Sequence, residues 1–207
     1  MSSRDNHRDS FKELVEALTK LPGVGPKTAQ RYAFHLLHVD RGIAQDLSDS
    51  IINALIKISN CHKCNTLCEG KVCKICTDRD RDPAKLCIVE SPSDLLAVEQ
   101  SHAFDGLYFV LMGKVSFIDG VGPKDLGFER LFFRAEEEDV KEIIIATNFT
   151  AEGEATAQAI ESLFKQHSRI RKKKVARLAR GVPHGAELEY TDLGTIAQAF
   201  RERKQEG

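Results

Sequence analysis

The chain lacks any apolar run of membrane-spanning length, and its opening, Met1-Ser2-Ser3-Arg4-Asp5-Asn6, is polar where a secretory leader would carry an apolar core. These absences argue against a membrane-spanning helix and an exported precursor; the expectation is a cytoplasmic protein with no membrane partner. The chain also lacks net charge, since 30 Lys and Arg stand against 31 Asp and Glu, a formal balance of −1. Uniform coating of nucleic acid is thereby disfavoured, and any contact with an anionic polymer has to come from local patches. What is present is ordinary: 42% hydrophobic and 29% charged residues over 207 positions, enough for one substantial core with small appendages. One patch is plain, because Lys165 to Arg180 holds eight basic residues, Arg169, Arg171, Lys172, Lys173, Lys174 and Arg177 among them, and no acid. It reads equally as a solvated loop and as a DNA-facing strip.

The most informative stretch is Leu21-Pro22-Gly23-Val24-Gly25-Pro26-Lys27. Before it, Phe11, Leu14, Val15 and Leu18 recur at helical spacing, and Ser10 with Glu13 has the spacing of a capping box. After it, Ala29, Tyr32, Ala33, Leu36 and Leu37 form a second helical stripe, with Pro26 acceptable in the first turn. Gly23 and Gly25 permit a tight turn and leave backbone N–H groups uncovered near a helix N-terminus, which is how a backbone grips phosphate. Lys27 and Arg31, four residues apart, lie on one face of the second helix and are expected to flank such a phosphate. The pattern matches the helix-hairpin-helix, a DNA-backbone binder without sequence preference. An ordinary glycine-capped helical turn is the competing reading; Leu-Pro before and Pro-Lys after favour DNA. A nucleotide P-loop is excluded, since it needs glycine where Pro26 stands.

Five of the six cysteines crowd into positions 61 to 76. Cys61-x-x-Cys64 and Cys73-x-x-Cys76 are two thiolate turns that close a tetrahedral four-sulfur shell, with no open position for water. The expectation is one structural zinc per chain. The surrounding Asn60–Pro83 segment is polar and has few apolar residues with which to build a core, so it needs a staple. Cys68 falls between the pairs and is expected to be spare, while Cys87 lies in a strand-like run as a small hydrophobe.

Beyond the cysteines the period changes. Leu86-Cys87-Ile88-Val89, Leu107 to Met112 and Glu142 to Thr147 read as buried strands. A helix is expected from near Ser93, carrying Leu95, Leu96 and Val98, and another is marked by Ala155, Ala159, Ile160 and Leu163. This alternation predicts a mostly parallel sheet, with functional groups at the carboxyl ends of its strands. The arrangement resembles the Toprim domain of topoisomerases and primases, whose pattern is a strand-end Glu plus Asp-x-Asp-x-Glu-Gly around Mg²⁺. Here the matching residues are Glu90 and Asn148-Phe149-Thr150-Ala151-Glu152-Gly153, with both aspartates replaced by neutral side chains. Mg²⁺ wants anionic oxygen, so the expectation is a fold that persists without the chemistry. Glu90, Glu152 and Glu154 then read as an acidic surface for a partner protein, or, for Glu152 and Glu154, as acids suited to a helix start. The rival is a Mg²⁺-dependent Toprim nuclease or primase-like enzyme working with those three glutamates alone. A second Gly-Val-Gly-Pro, at Gly120 to Pro123, lacks the Leu-Pro lead and is flanked by Asp119 and Asp125; it reads as a loop.

Taken in order, these motifs and a Gly181-Val182-Pro183-His184-Gly185 tail resemble the RecR family of bacterial recombination mediators over nearly the whole chain. The supporting stretches include Ala29-Gln30-Arg31, Cys87 to Pro92, Ala146-Thr147-Asn148 and Glu152 to Thr156. The organisation expected is α/β with small appended modules. These are a helix-hairpin-helix region over 1–58, a four-cysteine zinc finger over 59–83, a Toprim-like sheet over 84–180, and a C-terminal strand and helix segment for assembly over 181–207. The resemblance implies a non-enzymatic repair factor that works with RecO and, in some systems, RecF, to load RecA onto single-stranded DNA covered by single-strand-binding protein. It also implies a ring-shaped homotetramer, with Lys27 and Arg31 on DNA and the Toprim acids toward RecO.

Overall fold

The computed structural model describes residues 9–202, and the chain forms two units that divide between Ile58 and Ser59. The polar opening Met1–Asn6 lies outside the described residues. In the first unit, α1 (Ser10–Leu18) turns Phe11, Leu14, Val15 and Leu18 inward while its charged residues face out, as the helical spacing predicts. Its cap is one residue earlier than the Ser10–Glu13 spacing predicts. The carboxylate of Asp9 accepts the N–H groups of Phe11 and Lys12 at 3.1 and 3.3 Å. An ionised acceptor at this position also suits the positive end of the helix dipole.

α2 (Pro26–Phe34) buries Ala29 and Ala33, whose small side chains allow close approach to α1, and the Phe11 and Phe34 rings lie 4.9 Å apart. The chain continues through a π-helical turn, His35–Val39, into α3 (Arg41–Lys57), capped by the Asp40 carboxylate on the Ile43 N–H at 3.0 Å. α3 buries none of its side chains fully, and Leu55 and Ile56 are 78% and 76% exposed.

From the last residue of the first unit onward the chain forms a two-stranded sheet, β1 (Ile58–Asn60) with β2 (Leu67–Glu69), and a short α4 (Lys74–Thr77). Then β3 (Asp82–Val89), β4 (Gly106–Val110), β5 (Glu142–Ile145) and β6 (Lys174–Arg177) form an all-parallel sheet in the order β4-β3-β5-β6. Central β3 sets Leu86 opposite Leu107 and Ile143, and Ile88 opposite Phe109 and Ile145. Strand alternation sorts the core into two faces. Leu86, Ile88, Phe109, Ile143 and Ile145 pack beneath α6 (Phe128–Glu136) and α7 (Ala151–Gln166), through Phe128, Leu131, Ala157, Ile160 and Phe164. Cys87, Val89, Tyr108 and Val110 face α5 (Pro92–Gln100) through Leu95. Each such large side chain contributes roughly 1.5–3 kcal/mol on burial. Burial pushes the Cys87 thiol up to about 12, so it behaves as a hydrophobe.

α5 begins at Pro92, under a Ser91–Asp94 capping box, slightly ahead of the expected start near Ser93. The basic run from Lys165 to Arg180 is not a loop. It ends α7, makes a 3-10 turn at Ile170–Lys172 and forms β6. Its charges are partly tied down: Lys173 donates to the Ala135 and Glu137 carbonyls, Lys174 pairs with Glu142, and Arg177 pairs with Glu154. The chain ends its described course in α8 (Leu193–Arg201), capped by Asp192. No helix among the described residues is long and apolar enough to cross a membrane.

Candidate nucleic-acid interface and metal centre

The turn between α1 and α2 is closed by the Val24 N–H on the Leu21 carbonyl at 3.1 Å. Pro22 and Gly23 are its central residues, and Gly23 has φ +78°, which only glycine adopts without strain. Gly25 is the N-cap of α2 and offers no side-chain acceptor, so the first N–H groups of the helix point outward without a cap. A Cβ built on Gly23 or Gly25 would meet nothing within 4 Å, so the space in front of this backbone is open. Lys27 and Arg31 are both exposed, and neither forms an ion pair among the described residues. Arg31 lies 5.7 Å from the centre of the Tyr32 ring. Uncapped N–H groups, a helix N-terminus and two exposed cations are the chemistry that an anion requires.

The sulfurs of Cys61, Cys64, Cys73 and Cys76 all lie within 4.8 Å of one another and are buried, and the Cys64 and Cys73 sulfurs are 3.5 Å apart. A tetrahedral metal with bonds of about 2.3 Å needs sulfur separations of about 3.8 Å, so this donor set fits a four-thiolate ion. Burial raises the Cys61 thiol, but the backbone N–H groups of Cys64, Cys73 and Lys63 outweigh it and hold the group down to about 6. Cys64 is driven upward by its hydrogen bond with Cys76 and by burial, and burial brings Cys73 to about 11. Four crowded thiols thus cannot all ionise unaided, and a cation resolves that conflict. Cys68 turns its thiol to the Gly70 carbonyl at 3.4 Å and stays outside the cluster.

At the carboxyl ends of β3 and β5, where the strand order reverses direction, Glu90 is 5% exposed. One of its oxygens accepts the Asn148 backbone N–H at 2.9 Å and the other accepts the Asn148 side-chain amide at 2.7 Å. Thr150 caps α7 by accepting the Gly153 N–H at 3.1 Å. A Cβ on Gly153 would stand 2.1 Å from the Asn148 carbonyl oxygen and 2.7 Å from a Glu90 oxygen, so glycine alone lets α7 start here. Glu152 pairs with Lys114 at 2.5 Å, and Glu154 is forked by Arg177 at 2.8 and 2.9 Å and touched by Arg180. The Arg177 and Arg180 hydrogen bonds hold the Glu154 carboxyl below the usual range. Asn148 and Thr150, where the Toprim pattern has aspartates, therefore serve as a donor to Glu90 and a helix cap.

Comparison with known proteins now bears on these features. Residues 11–55 match the helix-hairpin-helix model of RecR, residues 84–175 the Toprim domain, and residues 181–204 the C-terminal model of RecR. The "Recombination protein RecR" of Chromobacterium violaceum is 52% identical over 195 residues, covering 94% of this chain and 96% of that protein. The chain belongs to the RecR family. Those models leave the cysteine segment unmatched, and there the structure adds residues that no motif announced. Asn65, left-handed at φ +66°, donates to the Val110 carbonyl at 2.7 Å, and the Val110 N–H donates to the Cys64 carbonyl at 2.8 Å. Arg130, from α6, donates to the Asn65 side-chain oxygen and to the Cys61 carbonyl at 2.7 and 3.0 Å. In this RecR-family chain the cysteine module is thus fastened to the end of β4. The sequence signals were faint: an Asn one residue after a Cys-x-x-Cys turn, and one Arg in an unassigned segment.

Proposed function

We propose that the chain is a non-enzymatic recombination mediator that binds DNA without sequence preference through Gly23, Gly25, Lys27 and Arg31. The carrying observation is the open N-terminus of α2, beside two exposed cations that form no ion pair among the described residues. Its role is recombinational repair together with RecO and, in some systems, RecF, loading RecA on single-stranded DNA covered by single-strand-binding protein at gaps and breaks. The name carried by the Chromobacterium violaceum relative supports the recombination role. The metal is zinc, one per chain, held by Cys61, Cys64, Cys73 and Cys76 in a purely structural site. Soft thiolates in a closed tetrahedron suit it, and such a site belongs in a reducing compartment, the bacterial cytoplasm.

The working form is a homotetrameric ring. Exposed Ile51, Ile52, Leu55 and Ile56 on α3, and Leu188, Tyr190 and Leu193 in the C-terminal segment, are apolar surfaces of the kind that copies of a chain cover in one another. Glu90, Glu152 and Glu154 form the RecO-facing region, with Glu152 and Glu154 nearer its surface. Sedimentation with and without DNA, combined with capture by RecO, tests the reading. The expected results are the mass of four chains, DNA co-sedimenting with that species, and RecO retention that weakens in Glu152→Ala. A monomer under all conditions, or magnesium-dependent DNA cleavage or synthesis that disappears in Glu90→Ala, would overturn it.

A further inference from the structure

A cleft of about 240 Å³ in the second unit is lined by His62, Lys63, Arg130, Phe133, Arg134 and Glu137, away from the Glu90 slot. Its charge balance is positive, because Lys63, Arg130 and Arg134 face the single carboxylate of Glu137. Arg130 does not lose its charge to a counter-ion: its partners are the neutral oxygens of Asn65, Cys61 and His62. Lys63 is exposed and forms no ion pair among the described residues. Arg134 is only 5% exposed; its Nη1 binds Glu137, and its Nε and Nη2, both closed to solvent, have no acceptor among the described residues. Arg130, by contrast, is exposed, and a guanidinium matches phosphate oxygens. Beside it on α6, Phe133 is 75% exposed while Phe128 is buried, so its ring contributes little to the core.

We propose that this cleft is a second nucleic-acid site, which seats one backbone phosphate of single-stranded DNA on Arg130 and Lys63 and stacks a neighbouring base on Phe133. A flat exposed ring beside a cationic groove is the usual equipment for gripping single strands without sequence readout. Duplex DNA keeps its bases inside and offers the ring nothing. An acidic peptide would satisfy the cations but leave the ring without a partner. The site stands independently of the hairpin on α2, which grips backbone alone.

The chain contains no tryptophan, so Phe133→Trp places a single indole in the cleft as reporter. The full-length variant is titrated with a short oligothymidylate, an abasic strand of equal length and a matched duplex. The result expected is saturable quenching by oligothymidylate alone. Phe133→Ala should weaken binding of oligothymidylate about tenfold and leave duplex binding unchanged. Lys63→Ala should shift the quenching midpoint in the same direction. Both replaced side chains are exposed, so circular dichroism and metal content should match wild type. Quenching should persist, at lower affinity, when Lys27→Ala/Arg31→Ala is added. Absent quenching, equal quenching by duplex, or complete loss of quenching in that background would overturn the proposal. So would displacement by oligo-aspartate as effective as by oligothymidylate, which would make the cleft a protein-docking site.

Discussion

The pentapeptide Gly-Val-Gly-Pro-Lys occurs twice, at Gly23 to Lys27 and at Gly120 to Lys124, and the two copies have different surroundings. Both first glycines are left-handed, at φ +78° and +68°. Yet the first copy opens a helix whose N-terminus is uncapped, while the second closes on itself. The Ser116 and Val121 backbones bridge at 2.9 and 3.0 Å, and the Gly122 N–H is taken by the Asp125 carboxylate at 2.8 Å. The copies differ on both sides: Leu21-Pro22 against Ile118-Asp119 before the first glycine, and Thr28 against Asp125 directly after the lysine. One carboxylate there occupies the backbone donor and repels the ligand at the same time. On the proposed function, what separates a phosphate cradle from a closed loop is which backbone donors the neighbours leave unbonded, more than the glycines that shape it.

The largest expected effect tests whether the second unit's closed character depends on its metal. Cys73→Ser, or Cys64→Ser, should remove the ion and the soluble protein, because structural zinc contributes roughly 10–16 kcal/mol to segments of this size. Cys68→Ser should retain one zinc per chain by metal analysis. Metal loss from Cys68→Ser equal to that from Cys73→Ser would refute the assignment.

Next comes the contrast between the copies themselves. Lys27→Ala/Arg31→Ala is expected to lower DNA affinity about 10- to 100-fold at low salt, and to reduce the salt dependence by about 0.9 per lost duplex phosphate contact. Lys124→Ala should change neither. A salt series at matched oligomer state checks this, and equal affinities throughout would move the DNA site away from the hairpin. A finer test converts one copy toward the other. Thr28→Asp should lower DNA affinity about tenfold, a like-charge penalty worth about 1.4 kcal/mol. Its thermal stability should hold or rise slightly, since an acid in the first turn suits the helix dipole. Unchanged affinity would mean that the carboxylate is not what silences the second copy.

The smallest effect concerns the charges that the second unit satisfies internally. Glu154 has a carboxyl held low by Arg177 and Arg180, so its contribution to stability is present above the ordinary glutamate range and is lost as pH falls through the lowered value. Glu154→Gln should therefore cost about 1 kcal/mol near neutral pH and little in strong acid, read from urea melts at several pH values. A penalty that does not vary with pH would point to packing in place of charge.

Much of this architecture is legible from the chain alone, for physical reasons that differ by region. The stripe of α1, the apolar runs of β3, β4 and β5, and the paired cysteines each place their residue types at a period or spacing that few other structures need. β6 hides because its lysines and arginine look solvent-bound until Ala135, Glu137, Glu142 and Glu154 supply their partners from elsewhere in the chain. α6 hides because aromatic and charged residues alternate along it: Phe128 and Leu131 enter the core, while Phe133 is exposed and Arg134 is buried. The replacement of the magnesium-binding aspartates was visible in the letters. What could not be read there is that Asn148 holds both oxygens of Glu90.

The close approach at Gly153 leaves little freedom at position 148. Asn148→Asp alone would set a carboxylate against Glu90 at the spot where an amide now donates, and two like charges so near force one to keep its proton. Neither side can retreat, because α7 begins against the Asn148 carbonyl with no room for even a methyl group. Asn148→Asp alone therefore meets charge repulsion before any cation is there to relieve it. Positions 90, 148 and 153 are thus matched to one another, and a change at any one of them has to be accommodated by the other two.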